Sequence, residues 1–193
     1  DNEIKAVIGI GDMVRETSKN AIQRIKDMDV EIVMLTGDNE IVAEAIGKKM
    51  NIDIVHANLK PSDKCDEIKR LQQDGNVVGM IGDGINDAPA LATADVSFAI
   101  GTATEIAMEA ANITLVKGDI TKAWEALRLS RQTMKIIKQN LFWAFGYNVL
   151  AIPFAALGLL NPMIAAGAMA FSSVSVVTNS LRLRRFKLES DKK

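Results

Sequence analysis

The chain has 193 residues, 48% of them hydrophobic and 24% charged, with 23 Lys and Arg against 24 Asp and Glu. A formal net charge of −1 excludes a general nucleic-acid binder, and a single cysteine, Cys65, excludes an internal disulfide and any cysteine-only metal cluster. The start, Asp1-Asn2-Glu3, lacks the basic region and apolar core of a secretory signal.

Over roughly the first two-thirds, short apolar runs alternate with amphipathic stretches. Strands are expected at residues 4–10, 31–35, 53–56, 77–81, 96–100 and 113–116. Between the first pairs lie helices with apolar residues at helical spacing, as in Val14, Ala21, Ile25 and Met28. This βα alternation predicts a parallel sheet with right-handed crossovers and a ligand crevice at the carboxyl ends of the strands. A long helix over 121–139 leads into two charge-free stretches, 141–160 (LFWAFGYNVLAIPFAALGLL) and 163–181 (MIAAGAMAFSSVSVVTNSL). Each is about long enough to cross a bilayer as a helix, and Trp143 would anchor the interface. Arg128, Arg131, Lys135 and Lys138 precede the first, Arg182, Arg184, Arg185 and Lys187 follow the second, and the connection 158–162 carries no charge. That asymmetry predicts both chain ends in the cytoplasm.

The sharpest chemistry lies in Met80-Ile81-Gly82-Asp83-Gly84-Ile85-Asn86-Asp87-Ala88-Pro89-Ala90-Leu91. Gly82 and Gly84 allow a tight turn with close backbone approach, and Asn86 begins a short helix that Pro89 suits. Asp83 then sits at a strand tip and Asp87 on the first helical turn. Mg²⁺ keeps waters and phosphate oxygens around it, so one or two carboxylates at such a place are enough to hold it. An isolated GDG would read as solvated acids at a corner; the twelve-residue string says more.

Upstream, Leu35-Thr36-Gly37-Asp38-Asn39 follows the second strand, so the Thr36 hydroxyl and the free amides of the next helix face the same crevice, where a phosphate could rest. Alone, this segment would read equally well as a helix cap. Lys60-Pro61-Ser62-Asp63-Lys64 opens another helix with Pro61 at its first position, and Lys64 could neutralise a phosphoryl oxygen, although a lone lysine is usually just solvated. His56 and Cys65 read as ordinary structural residues.

A strand-borne Thr, a helix-borne Lys and a strand followed by Gly-Asp-x-x-x-Asp, in that order, resemble the haloacid dehalogenase superfamily. The strings TGDN, PSDK and GDGINDAPAL are similar to the phosphorylation domain of P-type ATPases. Gly101-Thr102-Ala103-Thr104 with Ile106-Ala107-Met108-Glu109-Ala110-Ala111 is similar to the stretch after the Mg²⁺ motif in heavy-metal-transporting members. The resemblance implies an α/β fold with a Rossmann-like, haloacid-dehalogenase-type parallel sheet followed by a two-helix transmembrane hairpin. It implies a phosphorylation domain at 1–127, a cytosolic helix extension with the hairpin at 128–187, and a cytosolic tail at 188–193. By the same match Thr36, Gly37 and Asp38 bind the phosphorylated site and Lys64 steadies the phosphate. Asp83 and Asp87 hold Mg²⁺, with Gly84 and Asn86 in the same loop. Lys60 is passed over because the pattern places the lysine three residues after the proline.

Several family features do not occur. The phosphorylated aspartate of Asp-Lys-Thr-Gly-Thr, the actuator's Thr-Gly-Glu and the Cys-Pro-Cys transport helix have no counterpart string. Asp12-Met13-Val14-Arg15 resembles a segment just after the nucleotide-binding insertion, and the acids of Asp27-Met28-Asp29-Val30 lie on the wrong side of a strand. The expectation is therefore the C-terminal part of a larger pump, inactive by itself because the attacking carboxylate is elsewhere.

Tyr147-Asn148 and Pro153 lie in the first charge-free stretch, and Met169 with Ser172 and Ser173 in the second. At about 1.5 Å per residue from the turn, Asn148 lies roughly 15 Å deep and 169–173 roughly 10 to 17 Å. Met169 and Ser173, four apart, share a helix face. A thioether with neutral oxygens suits Cu(I), whereas zinc would favour a carboxylate that neither stretch has. Singly, each of these residues would be read as packing. Together, Tyr147, Asn148, Met169 and Ser173 resemble the ion path of the copper-exporting branch, with Ag⁺ equally suited. The resemblance implies Mg²⁺ and ATP as cofactors, most of the nucleotide site being on the missing part, and Cu⁺ as cargo. It implies a multi-pass cell-membrane location with the phosphorylation domain cytoplasmic. Its implied partners are the actuator and nucleotide-binding domains, the other transmembrane helices, the lipid bilayer and a copper chaperone, with no nucleic acid. Two other classes stay open: a membrane-anchored phosphatase, which would want an Asp-x-Asp at a strand end, and a non-catalytic binding or assembly module, which would tolerate loss of Thr36 or Asp83.

Overall fold

The computed structural model describes residues 14–83, 85–101, 105–115, 119–158 and 162–186. The chain divides into two compact units, Asp1–Trp124 and Glu125–Lys193.

The first unit follows the βα alternation of the sequence: α1 (Glu16–Lys26), β1 (Val33–Leu35), α2 (Glu40–Met50), β2 (Ile54–His56), α3 (Pro61–Gln73) and β3 (Gly79–Gly82). A 3₁₀ turn (Ile85–Asp87) runs into α4 (Ala88–Thr93), followed by β4 (Val96–Ile100), α5 (Glu105–Ala110) and β5 (Ile113–Leu115). All pairings are parallel. β1 lies beside β2 with Val33 opposite Ile54 and Leu35 opposite His56, and β3, β4 and β5 form a second sheet in that order. This is the haloacid-dehalogenase-like parallel α/β arrangement that the sequence predicts. The strand expected at 4–10 lies outside the described residues.

Local chemistry sets the boundaries. Glu16 in the first turn of α1 and Arg24 and Lys26 in its last suit the helix dipole, while Ala21, Ile22 and Ile25 are buried. Asn39 caps α2 by accepting the Val42 amide at 3.0 Å, and Asn51 ends that helix in the left-handed region at φ 58°. Pro61 opens α3, and Asp63 accepts the Lys60 amide at 2.9 Å. β3 begins two residues later than expected. The Asp95 carboxylate takes the Val78 amide at 2.8 Å, and Val77 is left 84% exposed.

One cluster packs Ile22, Met50 and Ile52 under Met34 and Val55; another packs Leu91 and Ala99 under Met80 and Met108. Ser97, 1% exposed on β4, exchanges hydrogen bonds with Asn112 at 2.9 to 3.1 Å, which removes the cost of burying its hydroxyl.

α6 (Thr121–Ala156) runs from the end of the first unit into the second, where α7 (Pro162–Leu181) and a 3₁₀ turn (Arg182–Arg185) follow. α6 has 36 residues with Pro153 inside it. Asn179 donates to Asn140 Oδ1 at 2.9 Å and to Gln139 Oε1 at 3.3 Å, and Asn140 donates to Ser180 Oγ at 2.9 Å, tying the two helices side by side. The expectation of two membrane-crossing helices at 141–160 and 163–181 is not shown by the fold: among the described residues no helix is long and apolar enough to cross a membrane. The apolar part of α6 stops at Ala156, so 141–156 rises about 24 Å, short of the roughly 30 Å hydrocarbon layer.

Candidate functional site

The candidate site is assembled where the strands of the first unit end. β1 delivers Thr36, whose amide donates to the His56 carbonyl at 3.0 Å and whose carbonyl accepts the Leu59 amide at 3.0 Å. The Thr36 hydroxyl donates to Asp38 Oδ2 at 2.8 Å and accepts the Asp38 amide at 3.1 Å. The Asp38 carbonyl in turn accepts the Asn58 amide at 2.8 Å. Gly37 lies against the same loop, where a Cβ would stand 3.3 Å from the Leu59 carbonyl oxygen. The segment Thr36-Gly37-Asp38 is thus fixed to the loop that leads into α3.

That helix carries Lys64 in its first turn, and Lys64 Nζ lies 2.7 Å from Asp87 Oδ1, with side-chain exposures of 15% and 13%. Asp87 ends the 3₁₀ turn that follows β3. Its seat is narrow: a Cβ on Gly82 would fall 2.8 Å from Asp87 Cβ and 3.0 Å from Asp87 Oδ2. Only glycine leaves the room that lets this carboxylate fold back onto the strand end. Asp83, directly after β3, and Asn86, in the turn, are both exposed. Gly84 lies outside the described residues.

Behind Lys64, α3 carries Glu67 on the His56 side. The Arg70 guanidinium, donating to Glu67 Oε1 at 2.6 Å, holds the Glu67 carboxyl below the usual carboxylate range, with His56 adding to the effect. His56 Nε2 is buried without a hydrogen-bond partner, 3.5 Å from Glu67 Oε1.

Sequence reading anticipated Thr36, Asp38, Lys64, Asp83 and Asp87, and the structure brings Thr36 to Asp38 and Lys64 to Asp87. It did not anticipate that Asp87 engages Lys64, that Asp63 anchors the start of α3, or that Gly82 makes room for Asp87. Pro61 at the first helical position with an acid, Asp63, in the same first turn was the legible signal for the second of these. The donor set fits Mg²⁺: an exposed carboxylate at a strand end and a second carboxylate with one oxygen on an ammonium, which leave room for water and phosphate ligands. Among the described residues there is no group of three or more His, Cys, Asp and Glu that could hold a metal alone.

In the second unit Tyr147 and Asn148 lie on α6 and Met169 and Ser173 on α7. Asn148 donates to the Ala144 carbonyl at 2.7 Å and Ser173 to the Met169 carbonyl at 3.2 Å, each within its own helix. Met169 is 72% exposed. The hydrogen bonds that join the two helices lie further along, at Gln139, Asn140, Asn179 and Ser180.

A haloacid dehalogenase-like hydrolase family model matches residues 1–95. Among curated proteins, the chain is 54% identical over 187 residues to a copper-exporting P-type ATPase of Bacillus subtilis (strain 168), covering 97% of this chain and 23% of that protein. It is 52% identical over 190 residues to a copper-exporting P-type ATPase of Staphylococcus aureus (strain JH9), covering 98% of this chain and 24% of that one. Among solved structures, a zinc-transporting PIB-type ATPase in its E2.Pi state matches 89% of this chain and 28% of its own with a TM-score of 0.83 and 33% identity. The chain spans about a quarter of the length of the curated relatives it matches.

Proposed function

The chain belongs to the heavy-metal-transporting P-type ATPases, and from that premise we propose that it supplies the phosphate-handling groups and part of the ion path of an ATP-driven Cu(I) exporter. The observation that carries this is the contact between Lys64 and Asp87, 2.7 Å apart. It joins the first turn of α3 to the turn after β3, while the Leu59 and Asn58 amides join the approach to α3 to the carbonyls of Thr36 and Asp38. A phosphoryl group borne by a carboxylate on another segment would meet the Thr36 hydroxyl, the Asp38 amide and the Lys64 ammonium.

In this reading Thr36, Gly37 and Asp38 receive the phosphoryl oxygens. Lys64, aimed by Asp87, balances their charge. Asp83 and the remaining oxygen of Asp87 are the groups that would hold Mg²⁺, which when bound would neutralise charge on the transferring group. The chain supplies positioning but not the attacking carboxylate, so alone it turns over neither ATP nor phosphate esters.

For the second unit the reading is that the apolar stretch of α6 and α7 lie in lipid within the whole pump. In support, Phe142, Phe145, Val149, Leu150, Ile152 and Phe154 on α6 and Phe171, Val174 and Val177 on α7 each expose more than half of their surface, and such a band needs an apolar surround. The charge-free sequence also runs on past Ala156 to residue 160. Asn140 meets Ser180, and eight positions on from Asn140 is Asn148 while eight back from Ser180 is Ser172. Asn148 is thereby level with the Met169–Ser173 turn of α7, as a shared path for a soft cation requires. The curated relatives are copper exporters by name, and the neutral donor set of Tyr147, Asn148, Met169 and Ser173 favours Cu(I) or Ag(I) over zinc.

The test is phosphoenzyme formation from ATP in the pump that contains this chain. Asp83→Asn keeps size and loses the charge that attracts Mg²⁺, so labelling should fall strongly; normal labelling would remove Asp83 from the site.

A further inference from the structure

Three hydrogen bonds between α6 and α7 converge on two adjacent residues of each helix. Asn140 donates to Ser180 Oγ at 2.9 Å and accepts from Asn179 Nδ2 at 2.9 Å, so both ends of its amide are used on the other helix. Asn179 Nδ2 also reaches Gln139 Oε1 at 3.3 Å, and its Oδ1 accepts from Arg182 at 3.1 Å. Gln139, Asn140 and Asn179 are half-buried. Donors and acceptors are thus matched one to one. Sliding either helix by one turn, about 5.4 Å, would set Asn140 opposite Val176 or Arg184 and break the match. A single Asn in the seam of two packed helices fixes their register in the same way.

The cluster is also spaced to the donors of the proposed ion path. Arg128, earlier on α6, stands over the ring of Phe186, which follows α7, at 5.5 Å, so the two helices run in opposite directions from Asn140 and Ser180. Seven residues on from Asn140 is Tyr147; seven back from Ser180 is Ser173, and eleven back is Met169. Steps of seven and eleven return to nearly the same helix face. Tyr147 therefore lies on the face of α6 that carries Asn140, and Ser173 and Met169 lie on the face of α7 that carries Ser180. At about 1.5 Å per residue, Tyr147 and Ser173 are each roughly 10 Å beyond the cluster. We propose that Asn140, Asn179 and Ser180 form a register key: they are positioning residues that hold Tyr147 at the height of Ser173 and so set the spacing of the donors that a soft cation meets. In a bilayer two apolar helix faces gain little from each other over lipid, so polar pairs of this kind decide the alignment. The inference rests on the proposed Cu(I) path and adds to it the residues that set its geometry.

Cysteine cross-linking reads the register directly, in the chain carrying Cys65→Ser and reconstituted into phosphatidylcholine vesicles. Ala144 and Val176 each lie four residues from the cluster, at one height, and both are half-buried. Ala144→Cys with Val176→Cys is the in-register pair, and Ala144→Cys with Ser172→Cys is one turn out. On mild oxidation the first pair should close several-fold faster than the second. Asn140→Leu with Asn179→Leu should cut that preference about tenfold, the weight of two to three interhelical hydrogen bonds in lipid. Thr178→Val, outside the cluster, should leave it intact. Asn140→Ser alone should weaken the preference and adding Ser180→Asn should restore it, which separates a specific pairing from a general loss of helix packing. In the pump that contains this chain, Asn140→Leu with Asn179→Leu should raise the Cu(I) concentration for half-maximal ATPase activity by the same factor, about tenfold, while phosphorylation by inorganic phosphate persists. A preference that survives Asn140→Leu/Asn179→Leu, or that Ser180→Asn does not restore, overturns the key. A lost preference with unchanged Cu(I) dependence overturns its role in the ion path. Absence of Cu(I) stimulation in the unsubstituted pump would overturn the copper reading, and the cross-links would still decide the register.

Discussion

Removing the Asp87 carboxylate by Asp87→Ala isolates one ion pair on which the candidate site depends. The two side chains keep only 15% and 13% of their exposure and meet at 2.7 Å. An exposed pair is worth about 0 to 1 kcal/mol, whereas removing one partner of a buried pair costs about 3 to 5 kcal/mol because the other charge is stranded. With most of each side chain covered but a path to water left, the cost should lie nearer the second case, at about 2 to 3 kcal/mol. Asp83→Ala, which removes an exposed acid four residues away, should cost under about 0.5 kcal/mol. For a urea slope of about 1 to 3 kcal/mol/M, Asp87→Ala would lower the midpoint by roughly 0.7 to 3 M. Trp124, 4% exposed at the end of the first unit, gives the fluorescence signal for the transition. The double change Lys64→Met/Asp87→Leu should restore most of the loss, since an apolar pair strands no charge. If Asp87→Ala costs no more than Asp83→Ala, the contact is incidental, and Asp87 does not aim Lys64.

Two further outcomes follow from particular contacts. The Val78 amide, with the Gln72 side chain, holds the Asp95 carboxyl below its usual range. Asp95 therefore adds stability that is present above its unfolded-state pKa and lost as pH falls through its lower folded value. Asp95→Asn should flatten the fall in urea midpoint below about pH 4, and an unchanged acid slope would refute the assignment. In the pump that contains this chain, Met169→Leu keeps volume and removes the soft donor, so Cu(I)-stimulated ATPase activity should fall while phosphorylation by inorganic phosphate persists. Undiminished copper transport by that variant in vesicles would make Met169 a packing residue.

The parallel α/β order was legible because each described strand is a short apolar run bounded by turn residues, as in 96–100, which the structure reproduces end to end. Boundaries were less legible where a side chain replaces a strand partner. Val77 looks like strand in sequence, but Asp95 satisfies the Val78 amide and β3 starts at Gly79. The closing helices were legible as a long helix from Thr121 that runs on into the first charge-free stretch and a second helix over the next, which the structure describes as Thr121–Ala156 and Pro162–Leu181.

The candidate site was legible in its parts and not in its wiring, because the wiring depends on distances that no local pattern encodes. Thr36 and Asp38 are two residues apart and their mutual hydrogen bonds follow from the turn. Lys64 and Asp87 are 23 residues apart, and they meet only because α3 crosses to the end of β3 and because Gly82 has no side chain to hold Asp87 off. The consequence is chemical. In the reading proposed above, an Asp87 engaged by Lys64 keeps one oxygen free of that contact, which would serve a cation while the other orients the ammonium toward the phosphate. The two charges around a phosphoryl group, one metal-borne and one from lysine, would then be set by a single carboxylate. A substitution at Asp87 should therefore disturb both, whereas one at Asp83 should disturb the metal alone.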